Sequence, residues 1–140
     1  MDIDQRALDL ANHLLEIETK SKTRKNKRSP SEVDKFIKST QWLSKRILSN
    51  CAASSNTQTR LSRDKNRYKA NSHNVDGVTY DILIGGVIDW LVIDGFIYTD
   101  KKGGYSRELF EGEQTRIKPY SKFIEWFKVD LQTLPQKIVA

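Results

Sequence analysis

Residues 77–119 read GVTYDILIGGVIDWLVIDGFIYTDKKGGYSRELFEGEQTRIKP, and the architecture turns on how they fold. Across residues 79–94 the apolar positions Ile82, Leu83, Val87, Ile88, Leu91 and Val92 recur at the spacing of one broad helical face. Asp94-Gly95 then supplies a stop, because glycine enters the left-handed conformation without a Cβ clash. Phe96-Ile97-Tyr98-Thr99 alternates like a strand, and Thr115-Arg116-Ile117-Lys118 is expected to pair with it until Pro119 ends the ladder. Between the two lie Lys101, Lys102, Gly103, Gly104 and Arg107. The expected unit is a helix followed by a hairpin with a long basic tip.

The same residues admit a second reading. Gly85-Gly86 separates two β-branched runs, residues 78–84 and 87–93, and Gly-Gly is an accepted hairpin turn. A glycine inside a helix also costs about 1 kcal/mol relative to alanine. Periodicity alone leaves helix and hairpin both open.

Outside this stretch, residues 4–19 are expected to form a first helix, with Ala7, Leu8, Ala11, Leu14 and Leu15 on one side and Leu10 and Ile17 widening the apolar surface. His13 falls here as a surface or interface residue rather than a ligand. Residues 20–28 follow as a basic linker with six cations and no acid. Such a run is either a solvated loop or an arm that lies along DNA phosphate. Ser29-Pro30-Ser31-Glu32 then has the form of a capping box with proline at the first helical position. The scaffold helix it opens spans residues 29–55, with Val33, Phe36, Ile37, Leu43, Ile47, Leu48 and Cys51 as its buried face. Leu61 to Tyr68 is expected to hold a short strand and a turn. Arg63, Lys65, Arg67, Tyr68, Lys69 and Asn71 mix cations, an aromatic and an amide, a combination suited to phosphate contacts with occasional base-edge bonds, or else form an exposed polar loop. A last helix is expected from Lys122 to about Leu131, burying Phe123, Ile124, Trp126 and Phe127, before a tail at residues 132–140.

The chain has 140 residues, a length suited to one domain with a real core. Its formal net charge of +6 points toward a polyanionic partner, and the charge is clustered. Residues 60–69 hold five cations against Asp64 alone. No apolar run approaches the roughly 20 residues of a membrane span, and the acidic start MDIDQRALDL is no secretory signal. Cys51 stands alone, so it forms no internal disulfide or cysteine cluster, which favours a reducing cytoplasm. His13 and His73 lack the paired spacing of a metal site, and there is no GxxxxGK[ST] phosphate cradle. Neither catalysis nor a cofactor is expected.

Residues 60–127, about half of the chain, resemble the winged-helix DNA-binding domains of replication initiators from plasmids, phages and related mobile elements. The likeness is carried by Leu61-Ser-Arg-Asp-Lys-Asn-Arg-Tyr68, by the Val78-Thr79-Tyr80 helix entry, by Trp90-Leu91 with Asp94-Gly95-Phe96-Ile97, and by Thr115-Arg116-Ile117-Lys118-Pro119. The Leu91-to-Ile97 ending recurs where a recognition helix enters the wing, which favours the helix for residues 79–94. The resemblance implies an α+β, mostly helical fold: a winged helix-turn-helix with a β-hairpin wing and additional N-terminal helices, in one domain over residues 1–140. It further implies a non-catalytic, sequence-selective module that binds double-stranded origin repeats as a homodimer, with no membrane partner. A winged-helix transcriptional regulator and a protein-interaction winged helix mediating subunit assembly are the alternatives. Residues 79–94 contain no lysine or arginine, and Asp81 and Asp89 would repel phosphate. Only Thr79 and Tyr80 suit base edges there, so the wing and the 63–71 loop are expected to carry much of the affinity. The expected DNA-binding set is Arg63, Lys65, Arg67, Lys69, Asn71, Thr79, Tyr80, Lys101, Lys102, Arg107 and Arg116.

Overall fold

A computed structural model describes residues 3–21, 28–53, 59–62, 78–100 and 114–128. These form four helices and three strands, an α+β arrangement that is mostly helical. Helix α1 spans Ile3–Ser21 and α2 spans Pro30–Ala53, and the two pack side by side. On α1 the fully buried residues are Ala7, Leu10, Ala11 and Leu14, spaced as a single helical stripe. That stripe is rotated from the expected one: Leu10 lies at its centre, while Leu8 and Leu15 are only half-buried at its margins. The capping box at the start of α2 is present in both directions. Glu32 N–H donates to Ser29 Oγ, and Ser29 N–H donates to Glu32 Oε1, each at 3.2 Å. Phe36, Leu43, Ile47 and Leu48 are fully buried along α2, and Val33 and Ile37 are half-buried. Cys51 is buried too, and that burial pushes its thiol pKa up.

The Gly85-Gly86 segment is helical. Helix α3 covers residues 80–93, with α-helical turns at Tyr80–Ile82 and Asp89–Ile93 around a π-helical turn at Leu83–Ile88. Its surroundings explain why the helix prevails over a hairpin. Ile82, Leu83, Ile84, Val87, Ile88, Trp90 and Leu91 are all buried, including three consecutive residues that an exposed two-stranded hairpin would place on opposite faces. Gly86 permits the close approach to α2. A Cβ there would lie 3.0 Å from Arg28 Nη2 and 3.4 Å from Phe36 Cε2.

The end of α3 follows the expected signal. Gly95 takes φ +76°, its N–H donates to the Val92 carbonyl, and Phe96 N–H donates to the Leu91 carbonyl at 2.9 Å. These two bonds are those of a Schellman motif, with Phe96 and Leu91 as its buried apolar pair. Strand β2 (Ile97–Asp100) then pairs antiparallel with β3 (Gln114–Pro119), in the register Ile97 with Pro119, Tyr98 with Lys118 and Thr99 with Ile117. Strand β1 (Thr59–Ser62) lies on the other edge of β3, so the sheet order is β1-β3-β2. Helix α4 (Ser121–Phe127) buries Phe123 and Phe127 completely. It stops short of the expected Leu131 because Lys128 turns into the left-handed region at φ 51°.

A buried charge cluster joins three elements. Continuing the α1 stripe one turn past Leu14 gives Glu18, whose side chain is 7% exposed. Arg28 donates to it through Nε at 2.7 Å and Nη2 at 3.1 Å, and Trp90 Nε1 donates to Oε2 at 2.7 Å. The Arg28 guanidinium also lies over the Phe36 ring, 5.2 Å from its centroid. The reading of residues 20–28 as one basic linker is therefore corrected at both ends. Lys20 and Ser21 belong to α1, and the Arg28 side chain is interior because Glu18, Trp90 and the Phe36 ring together replace its water. Residues 22–27 lie outside the described residues.

Candidate nucleic-acid interface

Of the expected DNA-binding residues, Arg63, Lys65, Arg67, Lys69, Asn71, Lys101, Lys102 and Arg107 lie outside the described residues. Thr79 and Tyr80 stand at the start of α3, where the half-buried Thr79 accepts the Leu83 N–H at 2.9 Å through its carbonyl. Arg116 stands in β3, the central strand. The described part of the expected set is thus split between a helix start and the sheet.

The exposed residues of α3 are Asp81, Gly85, Asp89, Val92 and Ile93. Their near four-residue spacing makes one solvent-facing line, and the line has no cation. It begins acidic and ends apolar, with Ile93 67% exposed. A surface of this kind repels a phosphate backbone rather than entering a groove.

The sheet has the opposite character. Thr59, Ile97 and Ile117 are each 1% exposed, so one face of the sheet is core. Strand alternation assigns Tyr98, Arg116 and Lys118 to the other face, and antiparallel partners share a face. The register sets Lys118 opposite Tyr98, and it sets Arg116 between Arg60 of β1 and Asp100 of β2. Among the described side chains, this outer face holds the cations Arg116 and Lys118. Neither Arg116 nor Lys118 has an ion-pair partner among the described residues, and Arg116 Nε is shielded from solvent with no acceptor there. Beside the cations lies an aromatic pair. Tyr98 and Tyr120 have ring centroids 5.0 Å apart with planes inclined by 40°, and they are 38% and 48% exposed. Sequence reasoning named Arg116 but missed Arg60, Lys118, Tyr98 and Tyr120 as members of one surface. The signal available was the alternation of Arg116-Ile117-Lys118, and it needed the distant β1 partner to become a patch.

A second polar junction fixes how the hairpin leaves α3. His13 Nε2 and Asp94 Oδ2 are 2.8 Å apart, and Lys122 Nζ donates to the Asp94 carbonyl at 2.6 Å. The His13 ring packs on Trp126, whose Nε1 donates to the Arg6 carbonyl at 3.0 Å. His13 is therefore a half-buried tie between α1 and the α3 terminus. A neighbouring groove of about 440 Å³, lined by Arg6, Asp9, Lys122, Glu125, Trp126 and Lys128, carries both charge signs and converges on no point. Among the described residues no His, Cys, Asp and Glu side chains cluster as metal ligands, and no helix is long and apolar enough to cross a membrane. Compared with known protein families, curated proteins and solved structures, the chain matches none of them.

Proposed function

We propose that this chain is a winged-helix DNA-binding domain that engages duplex DNA through its sheet and wing rather than by burying α3 in the major groove. The observation that carries this reading is the contrast between the two exposed surfaces. Among the described residues, the outer sheet face carries Arg116 and Lys118 without ion-pair partners, with Arg60 in backbone register, whereas the exposed line of α3 carries Asp81 and Asp89 and no cation. Cations on a strand act as phosphate contacts, which fix orientation and supply affinity but carry little sequence information. Lys101, Lys102 and Arg107 continue the same basic hairpin in sequence. The likeness to replication initiators of plasmids and phages adds the finer reading, a non-catalytic origin-binding module acting as a homodimer in the cytoplasm.

The test is fluorescence anisotropy with a labelled duplex over a range of salt. Each phosphate neutralised contributes about −0.9 to the slope of log affinity against log salt. Replacing Arg116 and Lys118 with glutamine is expected to lower duplex affinity and to flatten that slope by about 1.8, twice the single-contact value. An unchanged slope would remove the sheet from the interface.

A second reading draws on α3. Val92 and Ile93 are exposed beside Asp89, a composition suited to a protein partner, and a winged helix used for subunit assembly would present such a face. On that reading the chain forms a stable assembly without DNA, and its DNA affinity shows little salt dependence.

A further inference from the structure

We infer that the Tyr98–Tyr120 pair is a base-stacking platform, and that the outer sheet face takes single-stranded DNA as well as duplex. The inference rests on the reading of the chain as a DNA-binding domain and extends it to a second form of the ligand.

Among the described residues the exposed large apolar side chains are Val92, Ile93, Tyr98 and Tyr120. The two tyrosines are brought together by hydrogen bonding that the hairpin enforces. Tyr120 N–H donates to the Phe96 carbonyl at 2.9 Å, one step beyond the Ile97–Pro119 pair, and this sets Tyr120 next to Tyr98. With centroids 5.0 Å apart and a 40° inclination, the rings lean on each other while Tyr98 stays 38% and Tyr120 48% exposed. Leucine or threonine would cover the underlying hairpin as well. An aromatic surface that remains open gains most from another flat ring.

The cations decide which flat ring. Lys118 is the register partner of Tyr98, and Arg116 lies two residues further along the same face of β3. Two strand residues span roughly 7 Å, comparable with the separation of successive phosphates along an extended, unstacked nucleic-acid strand. A backbone running along β3 therefore meets a cation at intervals it can match while its bases turn toward the tyrosines. Duplex DNA cannot use the tyrosines in this way, because its base faces are covered by their neighbours and only its edges and phosphates are open. An unpaired strand offers both phosphate and free base faces, and a basic surface with aromatic side chains is the general solution for holding one.

The experiment measures the affinity of the full chain for a labelled oligothymidine and for a duplex of similar length by anisotropy at one salt concentration. Oligothymidine is chosen because it stacks weakly on itself and forms no hairpin. Two double variants are compared: Tyr98→Leu with Tyr120→Leu, which keeps apolar cover and removes the aromatic faces, and Tyr98→Phe with Tyr120→Phe, which keeps the faces. The leucine variant is expected to lose about 5- to 150-fold in single-strand affinity for each ring that stacks. Its duplex affinity is expected to stay within about twofold, since phosphate contacts carry that term. The phenylalanine variant is expected to bind the single strand as the unsubstituted chain does, and its urea midpoint verifies the fold. Single-strand affinity unchanged in the leucine variant overturns the inference, as does an equal loss on both ligands. Duplex binding with no single-strand binding in the unsubstituted chain also overturns it and leaves the proposed function standing. Binding to neither ligand overturns both.

Discussion

Removing the carboxylate of Glu18 is the most informative single perturbation of this fold. The group is 7% exposed, its Arg28 partner is 6% exposed, and it also accepts the Trp90 indole N–H. Glu18→Leu fills the space with apolar bulk but strands a guanidinium in the interior. Removing one partner of a buried pair costs about 3–5 kcal/mol, most of it the uncompensated charge. Orphaning the Trp90 N–H would add about 1–3 kcal/mol if it were independent, but the two penalties share one site and do not sum. Two features hold the cost toward the lower end. Glu32 Oε2 lies 3.9 Å from Arg28 Nη1 and is 41% exposed, so it can draw part of the charge outward. The Phe36 ring also remains beneath the cation. A loss of about 3 kcal/mol is expected, against a total stability of about 5–15 kcal/mol for a domain.

Urea unfolding followed by tryptophan fluorescence measures this directly, because Trp90 belongs to the cluster. With a slope near 2 kcal/mol per molar, a loss of about 3 kcal/mol moves the midpoint down by about 1.5 M. The double variant Glu18→Leu with Arg28→Met separates charge from packing. Once both charges are gone, the desolvation cost of the pair disappears while the Trp90 N–H still lacks its acceptor, so the double variant is expected to be more stable than Glu18→Leu alone by about 2 kcal/mol. If the double variant is as unstable as the single one or worse, the argument fails. Glu18 would then matter for its shape rather than for the charge it neutralises.

Adjacent glycines in α3 should respond in opposite directions. Gly85→Ala meets nothing within 4 Å and is expected to stabilise by up to about 1 kcal/mol through helix propensity. Gly86→Ala sets a methyl 3.0 Å from an Arg28 nitrogen held in the charge cluster and is expected to destabilise despite the same propensity gain, so the two midpoints bracket the unsubstituted chain. Cys51, buried with its thiol pKa raised, is expected to react with a disulfide reagent at neutral pH only as fast as the domain opens, and urea below the unfolding midpoint should accelerate it. Immediate labelling without urea would contradict that burial.

What was legible in the sequence, and what was not, divides along the range of the interaction. The capping box at Ser29 and Glu32 and the glycine stop at Gly95 involve residues within a few positions of one another, so the residue types alone announced them. The pairing of β2 with β3 was also foreseen from the alternating strand residues, but not its register, and Pro119 does not end the ladder: it pairs with Ile97, and Tyr120 N–H still reaches the Phe96 carbonyl. Glu18 was passed over, and Arg28 was misjudged as linker, for the opposite reason. Periodicity places Glu18 on the core stripe of α1, but composition assigns a glutamate to solvent, and the choice between them is made by Trp90, 72 residues away. Arg28 sits at the end of a run of solvated type, and nothing local distinguishes it from Lys27.

The candidate interface shows the same limit in a form that matters for function. The basic character of the hairpin was visible, and so was the absence of cations on α3. That absence was assigned to a helix still expected to offer Thr79 and Tyr80 to DNA, because a helix followed by a hairpin carries that role by resemblance. The packing alters the weight of the argument. A helix whose buried residues include Ile82, Leu83, Ile84, Val87, Ile88, Trp90 and Leu91 is enclosed on most sides, and among its described side chains only the line from Asp81 through Gly85 and Asp89 to Val92 and Ile93 is exposed. The π turn widens α3 where Gly86 meets α2, so the local geometry of the helix is committed to the core. An element used in this way is poorly suited to reach bases, so on the proposed reading DNA contact falls to the surface the core leaves free. In the described residues that surface is the outer face of the sheet, where β1 brings Arg60 into register with Arg116 across more than fifty residues of chain.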